Sequence, residues 1–334
     1  MWKTLIVVFA VALVLSAGLI LVLRATFTRY AMARPNARSS HAAPTPQGGG
    51  IAVVAATLIG AWLGATLTST GLSTIEWLAL SVATILLALT GAIDDIRGLG
   101  PGPRLLIQVV AVGLVIASLP ADFAVVPQLA QPFERALLLL GGVWFVNLVN
   151  FMDGIDWITV AEVVPVTAGV VLLGFADGVP PSAIVVAIAL LGASIGFAPF
   201  NRPVARLFLG DVGSLPIGLL LGWLMLMLAG RNNLAAAILL PLYYLADATI
   251  TLARRLVRRE VVWEAHRTHF YQRATDGGFS VEEIVVRVFV INLALAGLAL
   301  ITAIEPDPRV DLATIALGGS LVAWLLLTFA RGKR

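Results

Sequence analysis

The chain has 334 residues, 59% of them hydrophobic and only 12% charged, with a mean hydropathy of +0.97. Soluble domains carry about 25% charged residues, so the composition excludes a soluble globular enzyme and points to an all-α polytopic integral membrane protein. With no cysteine there is no disulfide framework and no thiolate metal site, and the net charge of +3 follows membrane topology rather than a nucleic-acid partner.

A span needs about 20 apolar residues. The pattern predicts eleven: 1–23, 49–68, 74–93, 105–121, 134–149, 160–176, 182–199, 214–230, 233–253, 281–304 and 311–329. The first has only Lys3 as a charged lead and no clear small-residue cleavage site, so it reads as a retained helix rather than a signal peptide. No long linker or periodic repeat divides the chain, and 1–334 reads as one membrane-embedded domain. Of the 22 Lys and Arg, only Arg135, Arg231 and Arg309 fall in the even-numbered loops. Lys3 is at the N-terminus, Arg287 is in the tenth span, and the rest lie in the odd loops or the C-terminal tail. The positive-inside rule then places the N-terminus outside and the C-terminus in the cytoplasm. The cytoplasmic loops are 24–48, 94–104, 150–159, 200–213 and 254–280. An amphipathic helix is predicted over 252–264, lying at the interface with Arg reaching lipid phosphates.

All five polar clusters fall in these odd loops. The first is His41 through Gly49, with Pro44-Thr45-Pro46 stiffening the entry to the second span. The second is Asp94-Asp95, followed by Arg104. Adjacent carboxylates at a helix end repel each other and oppose the helix dipole, and a cation offsets both effects; two solvated acids balanced by Arg97 and Arg104 are the alternative. The third runs Asn147…Asn150-Phe151-Met152-Asp153-Gly154-Ile155-Asp156. Its three-residue spacings put Asp153 and Asp156, like Asn147 and Asn150, on one face of a helical turn, and oxygen-only ligands suit Mg²⁺; a capped helix start is the plainer reading. The fourth, Gly210-Asp211-Val212-Gly213-Ser214, places glycines and an acid at a helix N-terminus, where anions or a metal are held. The fifth pairs His266 and His269 around Arg267, for phosphate or sugar recognition, with zinc as the alternative. Asp247 is the only acid expected well inside a span; it pairs with Arg254 or Arg255, or serves as a structural hydrogen-bonding group. Jointly, acids on one face with no other metal ligands favour a shared Mg²⁺–diphosphate site, with Mn²⁺ as the other candidate ion.

At these residues the chain resembles the polyprenyl-phosphate N-acetylhexosamine-1-phosphate transferases. That superfamily initiates O-antigen, enterobacterial common antigen and teichoic acid linkage synthesis, and includes the phospho-N-acetylmuramoyl-pentapeptide transferase of peptidoglycan. The resemblance covers nearly the whole chain. It is carried by Arg38-Ser39-Ser40-His41-x-x-Pro44-Thr45-Pro46-x-Gly48-Gly49, by Gly91-x-x-Asp94-Asp95 with Arg104-Leu105, and by Asn150-Phe151-Met152-Asp153-Gly154-Ile155-Asp156, the most specific match. Phe208-Leu209-Gly210-Asp211-x-Gly213-Ser214 and His266-Arg267-Thr268-His269-Phe270-Tyr271-Gln272-Arg273 follow in order, the last nearer the O-antigen branch. Trp157 stands where the family usually has Gly, and Gln47 where a basic residue is common; both put the sugar in doubt.

The resemblance implies transfer of a HexNAc-1-phosphate from a UDP-sugar to polyprenyl phosphate, releasing UMP, in the bacterial inner membrane with the site facing the cytoplasm. It implies Asp211, Asp94 and Asp153 as metal ligands and Asp94, Asp95, Asp153 and Asp156 as catalytic. His41, Asn147, Asn150, Arg104, His266, Arg267 and His269 would bind substrate. A homodimer is an open outcome. Two other classes compete: a cation-coupled secondary transporter, against which the acids sit at one face without an inverted repeat, and a lipid-phosphate hydrolase, which releases inorganic phosphate instead of UMP.

Overall fold

In the computed structural model, residues 2–30, 32–33, 44–69, 71–176, 178–261 and 266–333 are described. Thirteen helices follow in chain order. They are α1 Trp2–Tyr30, α2 Gly49–Leu67, α3 Thr74–Arg97, α4 Pro101–Ser118, α5 Gln131–Met152, α6 Ile158–Leu173, α7 Pro181–Phe197, α8 Asp211–Ala229, α9 Leu234–Leu239, α10 Leu242–Val257, α11 Phe270–Asp276, α12 Val281–Ile304 and α13 Pro308–Arg331. A two-residue antiparallel ribbon, β1 Met32–Ala33 with β2 Thr45–Pro46, lies between α1 and α2.

Local sequence explains the boundaries. Ser73 and Glu76 form a capping box at the start of α3, as Ser280 and Glu283 do for α12. Pro101 opens α4 at a position where its missing N–H is no loss. Helices α1, α3, α5, α8 and α13 run longer than their hydropathy windows, because capping and polar end turns extend a helix past its apolar stretch.

Ten helices among the described residues are long and apolar enough to cross a membrane. The ninth expected span, 233–253, is broken at Pro241 into α9 and α10, since proline lacks the N–H and its ring clashes with the preceding turn. The helix predicted over 252–264 also ends early: α10 stops at Val257, and Arg259 has a left-handed φ of 58°. Residues 262–265 lie outside the described set.

Helix α8 is the most buried of the ten spans. Its sequence is apolar on every side, as a core helix requires. It packs against α3, α5, α2 and α9. Helix α1 packs on α7 and α2, and α6 packs on α12 and α7. The core is therefore a bundle around α8, and the start of α8 becomes the place where the polar ends of its neighbours meet.

Candidate active site

The meeting point is set by backbone contact. A Cβ at Gly91 would lie 2.1 Å from the Asp211 carbonyl oxygen, and one at Gly50 would lie 2.2 Å from Gly213 Cα. Helices α2, α3 and α8 thus touch without side chains between them. Gly210 precedes α8 with φ 76°, a conformation only glycine adopts readily. The stretch after Pro44 is stitched on: Phe208 N donates to Pro46 O at 2.8 Å, Gly49 N to Phe208 O at 2.9 Å and Gly50 N to Leu209 O at 2.9 Å. Gln47 Nε2 donates to the Asp95 carbonyl at 2.8 Å.

Onto this frame the last turn of α3 brings two acids with different tasks. Asp95 turns back and accepts Asp211 N at 3.0 Å and Val212 N at 3.1 Å, one amide per carboxylate oxygen. It caps α8, where a negative charge meets the positive end of the helix. Asp94 faces the opening. It accepts Leu99 N and Arg104 Nη1, the latter at 2.8 Å. The same Nη1 reaches Asp211 Oδ2 at 3.4 Å, and Asp211 Oδ1 accepts Asn150 Nδ2 at 2.8 Å. Asn150 Nδ2 also donates to Ser214 Oγ at 2.9 Å. Arg104 Nη1 thus lies within 3.4 Å of both Asp94 and Asp211, so one guanidinium nitrogen balances two carboxylates.

Among the described residues no three His, Asp or Glu side chains gather at metal-ligand spacing. The Asp94–Asp211 pair nevertheless has the donor chemistry of a Mg²⁺ site, which uses one or two carboxylates and completes its shell with water and substrate phosphate.

Asp153 and Asp156 do not share a helical face, contrary to the spacing argument. Helix α5 ends at Met152, and Asp153 is its C-cap with ψ 54°. Its Oδ1 accepts the Thr159 hydroxyl, whereas Asp156 Oδ2 accepts Ala205 N at 2.9 Å. Trp157 starts α6 with φ 64° and is pinned by its N–H to Asn201 Oδ1 and its indole N–H to Ala198 O. Burial pushes the Asp153 carboxyl up to about 7; the Thr159 hydrogen bond opposes the rise, and the charges of Asp95 and Asp156 add to it.

In the unfolded chain that carboxyl ionises near pH 4, so between roughly pH 4 and 7 the folded state holds the extra proton. Stability from this group is complete below the lower value and is lost as pH rises through about 7. The metal-free protein is expected to melt at a higher temperature at pH 5.5 than at pH 8, and Asp153→Asn is expected to flatten that difference in a fluorescence melt.

The other expected site residues are distributed unevenly. Asn147 sits on α5 but turns away, donating to Gln108 Oε1 at 2.7 Å and to Val143 O. His41 lies outside the described residues. His266 and His269 stack at 4.9 Å. Burial, then the neighbouring His269 and Arg255, hold the His266 imidazole down at about 4, so it is neutral at pH 7. Arg267 donates to Thr275 Oγ1 and pairs with Asp276.

His269 is buried, and its Nδ1 is 3.2 Å from Asp247 Oδ1. Asp247 therefore pairs with this histidine and not with Arg254 or Arg255. Arg254 lies over the Phe270 ring, and Arg255 meets Glu260 and the Val261 carbonyl. Asp247 also accepts the amides of Phe270 and Tyr271 and the hydroxyls of Tyr243 and Thr251. The last polar loop is fastened by this one buried acid. Tyr271 carries the attachment onward, its hydroxyl donating to Phe151 O at 3.0 Å, and a Cβ at Gly154 would strike that hydroxyl.

Five loop segments thus converge, carrying Gln47, Asp94, Asn150, Asp211 and Tyr271. Glycosyl transferase family 4 matches residues 77–229, which carry Asp94, Arg104, Asn150, Asp153 and Asp211. Over this stretch the chain is similar to that family.

Among the relatives of the chain is the probable undecaprenyl-phosphate N-acetylglucosaminyl 1-phosphate transferase of Bacillus subtilis (strain 168). It is 25% identical over 274 residues, covering 78% of this chain and 74% of that protein. The decaprenyl-phosphate N-acetylglucosaminephosphotransferase of Mycobacterium tuberculosis (strain ATCC 25618 / H37Rv) is 28% identical over 334 residues, covering 88% of this chain and 80% of its own.

Sequence reasoning missed several supporting groups. Glu162 is a second fully buried acid beside Asp247, held by Asn292 Nδ2 at 2.7 Å. Its signal was a lone Glu in the apolar run Val160-Ala161-Glu162-Val163. Gln108, Thr159 and Tyr271 carried no signal, because their importance lies in partners far along the chain.

Proposed function

We propose that the chain transfers a HexNAc-1-phosphate from a UDP-sugar to a polyprenyl phosphate such as undecaprenyl phosphate, giving polyprenyl-diphospho-sugar and UMP as a first membrane step of cell-surface polysaccharide synthesis. The observation that carries the reading is the Asp94–Asp211 pair under Arg104 at the start of α8, beside the Asn150 amide. The names of the relatives, both N-acetylglucosamine phosphate transferases acting on a polyprenyl phosphate, support the same chemistry.

A lipid phosphate oxygen attacks the β-phosphorus of the nucleotide sugar, the bond to the bridging oxygen breaks, and UMP leaves with that oxygen. Mg²⁺, or Mn²⁺ in its place, held by Asp94 and Asp211 would neutralise the diphosphate and help UMP leave. Arg104 serves the same charge. Asp95 keeps Asp211 in place through the α8 amides. Asp153 and Asp156 orient the nucleotide, and Arg267 with the His266–His269 loop borders the phosphate and sugar. An apolar cavity of about 350 Å³ lies among α4, α5, α8, α9 and α10, lined by Val112, Val115, Gly142, Phe145, Gly222 and Ile238. It begins one helical turn beyond Gln108 and Asn147 and suits the lipid tail. The Lys and Arg distribution supports a site facing the cytoplasm of a bacterial inner membrane, where nucleotide sugars and the lipid phosphate meet.

The test is UMP release by purified protein with undecaprenyl phosphate and a panel of UDP-GlcNAc, UDP-QuiNAc and UDP-FucNAc, with Mg²⁺ or with EDTA. UMP that requires lipid, one donor and the divalent ion is the expected result. Inorganic phosphate in its place would move the assignment to a hydrolase.

A further inference from the structure

We propose that Thr159 is a positioning residue for Asp153, with Tyr244 fixing the direction of its hydroxyl; this rests on the reading of Asp153 as a substrate-facing carboxylate. Asp153 lies outside a helix, so backbone regularity does not hold its side chain. Oδ1 accepts the hydroxyl of Thr159, in the first turn of α6, at 2.5 Å. A hydroxyl has one proton to give. With that proton committed to Asp153, Thr159 Oγ1 is left as an acceptor, and the buried phenol of Tyr244 on α10 donates to it at 3.5 Å. The hydrogen bonds therefore run in one direction, Tyr244 to Thr159 to Asp153. They engage Oδ1 and leave Oδ2 outside this run of bonds. Three elements, the end of α5, the start of α6 and the start of α10, are joined at one carboxylate that the family motif contains, through two residues that the motif does not.

Valine is the test substitution, because it keeps the shape of threonine and removes the hydroxyl. Thr159→Val is expected to lower kcat for UMP release about tenfold, with the KM for the lipid unchanged, and Thr159→Ser to recover activity to within about twofold of the parent. Tyr244→Phe should act in the same direction with a smaller loss. If Thr159 works through Asp153, Thr159→Val adds nothing in an Asp153→Asn background. Parental turnover in Thr159→Val, equal impairment in Thr159→Ser, or fully additive losses in the double variant would each overturn the proposal. A parent protein that releases no UMP with any donor would instead overturn the proposed function. The same cycle read by thermal denaturation then decides the pair: coupled shifts support the contact, and additive shifts remove it.

Discussion

Asp211→Asn is expected to lower UMP release by about a thousandfold or more, the scale of losing one charge-stabilising group at a reacting centre, in a protein that still folds. The two halves of that expectation come from different atoms. The start of α8 is held by Asp95 through the backbone amides of residues 211 and 212, and a side-chain change leaves those bonds alone. The carboxylate has separate duties, one oxygen toward Asn150 and the other toward Arg104, which also holds Asp94. An asparagine amide there would remove the charge that, with Asp94, attracts a divalent ion, and would set an N–H group against Asn150 or Arg104, both donors. Steady-state UMP release beside a thermal melt checks this. Substantial turnover in a folded variant would remove Asp211 from the metal site.

Asp247→Asn is expected to act on stability, lowering it by roughly 3 kcal/mol, as breaking a buried charged hydrogen-bond centre does. The carboxylate is fully buried, and each oxygen receives more than one donor. Asparagine replaces one acceptor by a donor where donors already point, leaving buried N–H or O–H groups without partners. The loop carrying His266 and His269 would loosen, and activity would fall with it. The check is the melting temperature, together with activity measured well below it. A variant that melts like the parent yet has lost function would restore Asp247 as an intramembrane functional acid of the kind a cation path needs.

Much of the site was legible because carboxylates are rare in so apolar a chain. Asp94, Arg104, Asn150 and Asp211 stood out as polar groups at span ends, and packing around α8 brings them together. What spacing could not supply was direction. Asn147 and Asn150 are three apart on one helix, yet one faces Gln108 and the other Asp211, because neighbouring helices differ along that face. Asp153 and Asp156 are three apart across a helix end, where the periodicity that would align them has stopped. Hydropathy read through Pro241 because Leu and Ala on both sides kept the average high, although proline itself argued for a break. The role of Asp247 was open in the sequence because three of its partners, His269, Phe270 and Tyr271, lie more than 20 positions away.

The brace beneath the third cluster has a consequence for the order of synthesis. Asn292 on α12 donates to Ala161 O and Glu162 on α6, the first of these across 131 positions of chain. A ribosome delivers α6 before α12, so the Glu162 side chain is without this amide partner until α12 is made, and the brace between the two helices is one of the last contacts that assembly can close.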